Sequence, residues 1–88
     1  MAKSRRAVDE NGQYIGVMIF CPGCKCAHLF KPQWEFNGDF NKPSFQPSMV
    51  VHYPDGRTCH SWITNGMIEF FGDSYHSLAG KTVELEDV

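Results

Sequence analysis

Residues 58–71 read TCHSWITNGMIEFF. Asn65-Gly66, near the middle, is the strongest short signal for a two-residue hairpin turn, because both turn positions take positive φ, which Asn and Gly tolerate. The β-branched and aromatic residues on either side then become two antiparallel strands, Thr58 to Ile63 and Met67 to Phe71. Side chains alternate across a strand, so Cys59, Ser61 and Ile63 share one face while His60 and Trp62 share the other. Two neighbouring residues with different chemistry are thereby sent to opposite sides of one sheet.

Working outward, Ser48 to Tyr53 (SMVVHY) reads as a strand, and Pro54-Asp55-Gly56 turns it into the hairpin, giving a three-stranded meander. Gln13 to Phe20 (QYIGVMIF) has the residue types of a buried strand. Pro22-Gly23 breaks it, and a short strand resumes over Ala27 to Lys31, so Cys21 and Cys24 sit on the connecting turn as in a zinc knuckle. From Lys31 to Pro47, Pro32, Pro43, Pro47 and Gly38 interrupt any pattern, and an irregular loop pinned by Trp34, Phe36, Phe40 and Phe45 is expected. These rings are read as folding over a thin core rather than walling a binding groove.

Downstream, Gly72-Asp73 closes the hairpin, and Ser74 to Ala79 predicts one helical turn with Asp73 or Ser74 as N-cap and Gly80 as the left-handed stop. Thr82 to Leu85 is the last strand, followed by a solvated acidic end at Glu84, Glu86 and Asp87. Residues 1–12 read as a flexible polar tail, leaving 13–88 as a single zinc-binding domain. The fold class is small and mainly β (a β-rich α+β arrangement), an antiparallel sheet with a zinc knuckle and one short helical turn.

The totals bound the function. A chain of 88 residues buries a smaller share of its surface than an ordinary domain, so extra bracing is expected. With 42% hydrophobic residues and twelve aromatic rings it should fold. A net charge of −2 gives no electrostatic footprint for nucleic acid. The longest apolar run, Val17 to Cys21, is too short to span a bilayer, and no signal-peptide core follows the basic residues Lys3, Arg5 and Arg6. The expectation is a cytoplasmic protein with no membrane contact. In that reducing compartment the four cysteines read as thiolate ligands or free thiols, whereas secretion would favour two disulfides.

Three cysteines and a histidine crowd into CPGCKCAH, residues 21–28. Cys21 and Cys24 can aim at one tetrahedral zinc ion because Pro-Gly lets the backbone curl around it. A redox pair would need a helix after the second cysteine, and no helical pattern follows Cys24. Because Cys59 and His60 face opposite ways, only one of them reaches the metal, and Cys59 is preferred as third ligand. His28 is taken as the fourth ligand over His76 and Cys26. His52 is given no role, and the alternative reading of Cys26 or Cys59 is a small buried hydrophobe.

A polar set lies downstream: Ser48, His60, Asp73, Ser74 and His76. Nucleophilic hydrolysis needs a hydroxyl, a histidine base and a group that orients the base, so Ser48 with His60 or His76 and Asp73 are the candidate catalytic residues. No G-x-S-x-G elbow accompanies them, and the simpler reading makes Asp73 an N-cap.

The stretches CPGCKCAH, WEFNGD, KPSFQPS and CHSWITNGMIEFFGDSYHSLAGKTVEL together resemble a family of small uncharacterised phage and prophage proteins, often misnamed ammonia monooxygenase. The resemblance spans residues 20–85 and is most specific at Cys59, His60, Gly66, Asp73, His76, Leu78, Ala79, Gly80, Thr82 and Val83. The chain departs from the usual pattern at Asn65, where Asp is common, and at Lys81, where Gln is common. The resemblance implies a phage or prophage origin, a protein acting in the bacterial cytoplasm, and a relation to the presumed peptidase component of bacterial operons that conjugate ubiquitin-like proteins. Two functions are expected. The first is a zinc-binding accessory protein that engages an unidentified host protein through the aromatic loop and the His60 side of the sheet. The second is a small hydrolase using the polar set, or a zinc ion with three protein ligands and an open position.

Overall fold

Asn65 and Gly66 have φ of 51° and 78° in the computed structural model, which describes residues 2–88. This double left-handed turn joins β7 (Thr58–Thr64) to β8 (Met67–Phe70) with Thr64 opposite Met67 and Ser61 opposite Phe70. On the other side β6 (Met49–His52) pairs antiparallel with β7, placing Val50 opposite His60 and Val51 opposite Cys59. β9 (Thr82–Glu84) completes a four-stranded sheet in the order β6-β7-β8-β9. The alternation expected for residues 58–64 is realised: Cys59, Ser61 and Ile63 are buried, Trp62 and Thr64 are exposed, and His60 lies half-buried on the outer face.

A second sheet comprises β1 (Arg5–Val8), β2 (Tyr14–Cys21) and β3 (Cys26–Phe30), all antiparallel. Its inward residues Val17, Ile19, Cys21 and Phe30 meet Met49, Cys59, Ile63, Ile68 and Phe70 of the first sheet in one buried cluster. His28 is buried with them because the register sets it opposite Ile19. Between the two sheets' sequences, β4 (Glu35–Phe36) and β5 (Phe45–Gln46) make a minimal ribbon inside the stretch expected to be irregular. The Phe30 and Phe45 rings stack at 4.1 Å, Phe36 stacks on Phe45 at 5.0 Å, and Trp34 meets Phe30 edge-on. The rings of the loop thus close over the core, as their spacing suggested.

Two expectations are corrected. Residues 5–8 are not tail but edge strand β1, pinned from both sides: Ser4 is buried with its hydroxyl and N–H on the Phe40 carbonyl, and Lys3 Nζ reaches Glu84 at 2.7 Å and the Leu85 carbonyl at 3.0 Å. The helical turn over 74–79 does not form, and no helix occurs among the described residues. Its backbone groups are claimed by β7 instead. Tyr75 N–H donates to the Thr58 carbonyl, and the Ser74 hydroxyl accepts from His60 N–H and donates to the His60 carbonyl. What remains are single-turn bonds, Ala79 N–H to His76 O and Lys81 N–H to Leu78 O. Gly80 keeps its left-handed φ of 79° without a helix to stop.

Candidate catalytic triad and metal centre

The outer face of β7 carries His60, and two elements converge on its ring. Ser48, one residue before β6, lies next along that strand from Val50, the cross-strand partner of His60, and its Oγ is 3.2 Å from His60 Nε2. From the opposite side the loop after β8 brings Asp73, whose two carboxylate oxygens are each 3.3 Å from His60 Nδ1. A carboxylate only accepts, so Nδ1 carries the ring proton and Nε2 presents its lone pair to the Ser48 hydroxyl. Hydroxyl, imidazole and carboxylate therefore stand in the order that activates a serine nucleophile. Asp73 has no helix to cap, which removes the simpler reading of that residue.

The histidine is held by more than its two polar partners. Phe71 packs on the ring at 4.2 Å between centroids and donates its N–H to the His60 carbonyl. Ser74, buried, grips both backbone groups of His60 as described above. The sequence offered Ser74 as an N-cap candidate and a member of the polar set, and gave Phe71 no part in the site. The signal for both lies in their position just past the hairpin, where the chain must run back along the start of β7. Beside Ser48 opens a cleft of ≈ 340 Å³ lined by Gln46, Pro47, Ser48, Trp62 and Phe71.

The inner face of the same strand carries Cys59, and there the second constellation assembles. Cys21, Cys24, His28 and Cys59 offer donor atoms that all lie within 4.8 Å of one another. Cys21 ends β2, His28 sits on β3, and Cys24 lies on the turn between them. The turn curls as a knuckle should: Cys24 N–H points at Cys21 Sγ (3.3 Å), Lys25 N–H donates to the Cys21 carbonyl (2.8 Å), and Lys25 takes φ 61°. His28 Nδ1 donates to the Ala27 carbonyl at 3.1 Å, so Nε2 carries the lone pair. That Nε2 is buried with no hydrogen-bond partner, the state expected of a ligand atom aimed at a cation.

The thiols are electrostatically tied. The hydrogen bond from Cys59 holds the Cys21 thiol far below its ordinary range, with help from His28 and against the cost of burial. The same bond pushes Cys59 up, and burial pushes Cys24 up. A cation at the centre of such a set replaces the shared protons. Burial pushes the Tyr53 hydroxyl up, and the neighbouring Cys24 sulfur pushes Tyr75 up to about 12. Three sulfurs and one imidazole within reach of a common point fit a metal ion, and four protein donors make a closed set rather than one with an open position.

His76, a candidate base, is elsewhere. Its Nε2 is 3.4 Å from Cys59 Sγ and its ring packs edge-on against Phe70, on the metal side of the sheet and not beside Ser48. Its Nδ1 is buried without a hydrogen-bond partner. A Cβ at Gly23 would overlap the His76 ring, so the Pro22-Gly23 pair serves close packing of the knuckle on this histidine. Cys26 is exposed, with Tyr53 Oη 3.5 Å from its sulfur, and stands outside the ligand set. His52 is likewise exposed, 3.3 Å from Thr58 Oγ1.

Residues 2–71 match the model of a family described as bacterial ubiquitination-like system serine protease (BubE). The matched region includes Ser48, His60 and all four metal-centre residues and ends before Asp73, whose place rests on the geometry above. No curated protein and no solved structure matches the chain.

Proposed function

Given that the chain belongs to the BubE family of bacterial ubiquitination-like system serine proteases, we propose that it is a serine hydrolase braced by a zinc ion. The observation that carries the reading is the continuous contact Ser48 Oγ to His60 Nε2 and His60 Nδ1 to Asp73, at 3.2 and 3.3 Å. His60 takes the Ser48 proton as the oxygen attacks a carbonyl carbon, and returns it to the departing amine or alcohol. Asp73 holds the ring in the tautomer this requires and stabilises the imidazolium as it forms. The backbone N–H of Ser48, adjacent to the attacking oxygen, is the donor assigned to the oxyanion. Water then repeats the cycle on the acyl-serine.

Zinc is the metal that suits three thiolates and an imidazole in a tetrahedral set. Cys21, Cys24, His28 and Cys59 would hold it on the inner face of the sheet, where it fixes β7 from behind. The family description supports substrates that are amide or ester conjugates of a ubiquitin-like protein. Exposed Val50 and Trp62 beside His60 favour a protein partner over a small molecule. The test is turnover of a ubiquitin-like protein extended by a C-terminal peptide. Wild-type protein is expected to cleave it, Ser48→Ala to lose all cleavage while retaining its circular dichroism, and full activity in Ser48→Ala overturns the reading.

A further inference from the structure

Three hollows run together beside the nucleophile. The cleft at Ser48 shares Gln46 and Pro47 with a hollow of ≈ 250 Å³ lined also by Gln33 and Glu35. That hollow shares Glu35 and Gln46 with a third of ≈ 160 Å³, lined also by Phe36, Asn37 and Ser44. Glu35 and Gln46 stand opposite each other in the β4–β5 pair, so the groove crosses this ribbon and ends at the Ser48 hydroxyl. A run of adjoining shallow hollows over a strand pair suits an extended chain rather than a compact ligand.

The groove carries one formal charge among its lining residues, the Glu35 carboxylate. Glu35 is exposed, and among the described residues it has neither a cationic partner nor a side-chain hydrogen bond. The Gln46 amide beside it is likewise uncommitted, able to bond the backbone of a chain laid across it. We propose that this groove binds an extended peptide segment of the substrate and that Glu35 selects a lysine or arginine side chain within it. The inference rests on the serine-hydrolase reading for what happens at Ser48, but the binding itself does not require turnover.

The experiment uses the full-length Ser48→Ala protein, so that no probe is consumed. Fluorescein-labelled decapeptides of Gly, Ala and Gln, each with one Lys moved along the chain, are titrated by fluorescence polarisation. One Lys position is expected to bind on the order of fivefold more tightly than Gln there, the scale of a partly exposed ion pair. Adding Glu35→Gln should erase that preference, and Glu35→Lys should turn it into a preference for Glu. Equal binding of all peptides, or a Lys preference that survives Glu35→Gln, overturns the proposal. Failure of the hydrolase reading would appear separately, as wild-type protein whose Ser48 does not react with a serine-directed probe.

Discussion

The two residues Cys59 and His60 divide the molecule's chemistry between them. Strand alternation made that division legible: the rule that sends adjacent side chains to opposite faces placed Cys59 with the buried set and His60 outside before any coordinate was known. The partners of His60 were readable only as residue types, because Ser48 and Asp73 reach it through strand register and a loop path that no local pattern encodes. His76 shows the limit most clearly, being as good a base as His60 by composition and yet packed against Cys59. Two expectations follow at this scale. Asp73→Asn should lower kcat by on the order of 10²- to 10⁴-fold with little change in KM, since it leaves a ring of the wrong tautomer in place; steady-state kinetics check this. Gly23→Ala should push His76 off the knuckle and weaken metal affinity by roughly tenfold or more, read by competition with a chromophoric chelator.

At the scale of elements, the hairpin and the meander were legible because their signals are local: a turn that demands positive φ, flanked by alternating residues. Strand β1 was not, because its residues Arg5, Arg6, Ala7 and Val8 carry no strand signature of their own. What orders it is remote, the Phe40 carbonyl for Ser4 and the Glu84 carboxylate for Lys3. The loop over 74–79 failed in the opposite sense: a plausible local capping pattern lost to hydrogen bonds offered by Thr58 and His60. Gly66→Ala is therefore expected to cost about 1 kcal/mol or more, because alanine resists φ 78° and its Cβ would press on the Lys3 side chain. In a domain of this size that is a fall in Tm of about 4–8 °C, measurable by thermal circular dichroism.

Over the whole molecule, a metal bound at the candidate centre would join what the core alone holds weakly. Cys21, Cys24 and His28 belong to the sheet of β1-β2-β3 and its turn, while Cys59 belongs to the four-stranded sheet, so an ion at their centre staples one sheet to the other. Structural zinc contributes on the order of 10 kcal/mol to the folding of small domains, comparable with the whole stability of such a chain. Because His60 follows Cys59 directly, removal of the ion should release the catalytic face together with the core. A chelator titration is expected to abolish near-ultraviolet dichroism and turnover in parallel. Loss of turnover at chelator concentrations that leave the dichroism intact would instead point to a metal that takes part in the reaction. The claim on which the rest depends is that Ser48 is an activated nucleophile. It is tested most directly by treating the folded, metal-loaded protein with a fluorophosphonate and locating the adduct by peptide mass spectrometry. A single adduct on Ser48, forming far more slowly in Asp73→Asn, is expected; an unlabelled protein, or a label on another serine, would contradict activation of Ser48.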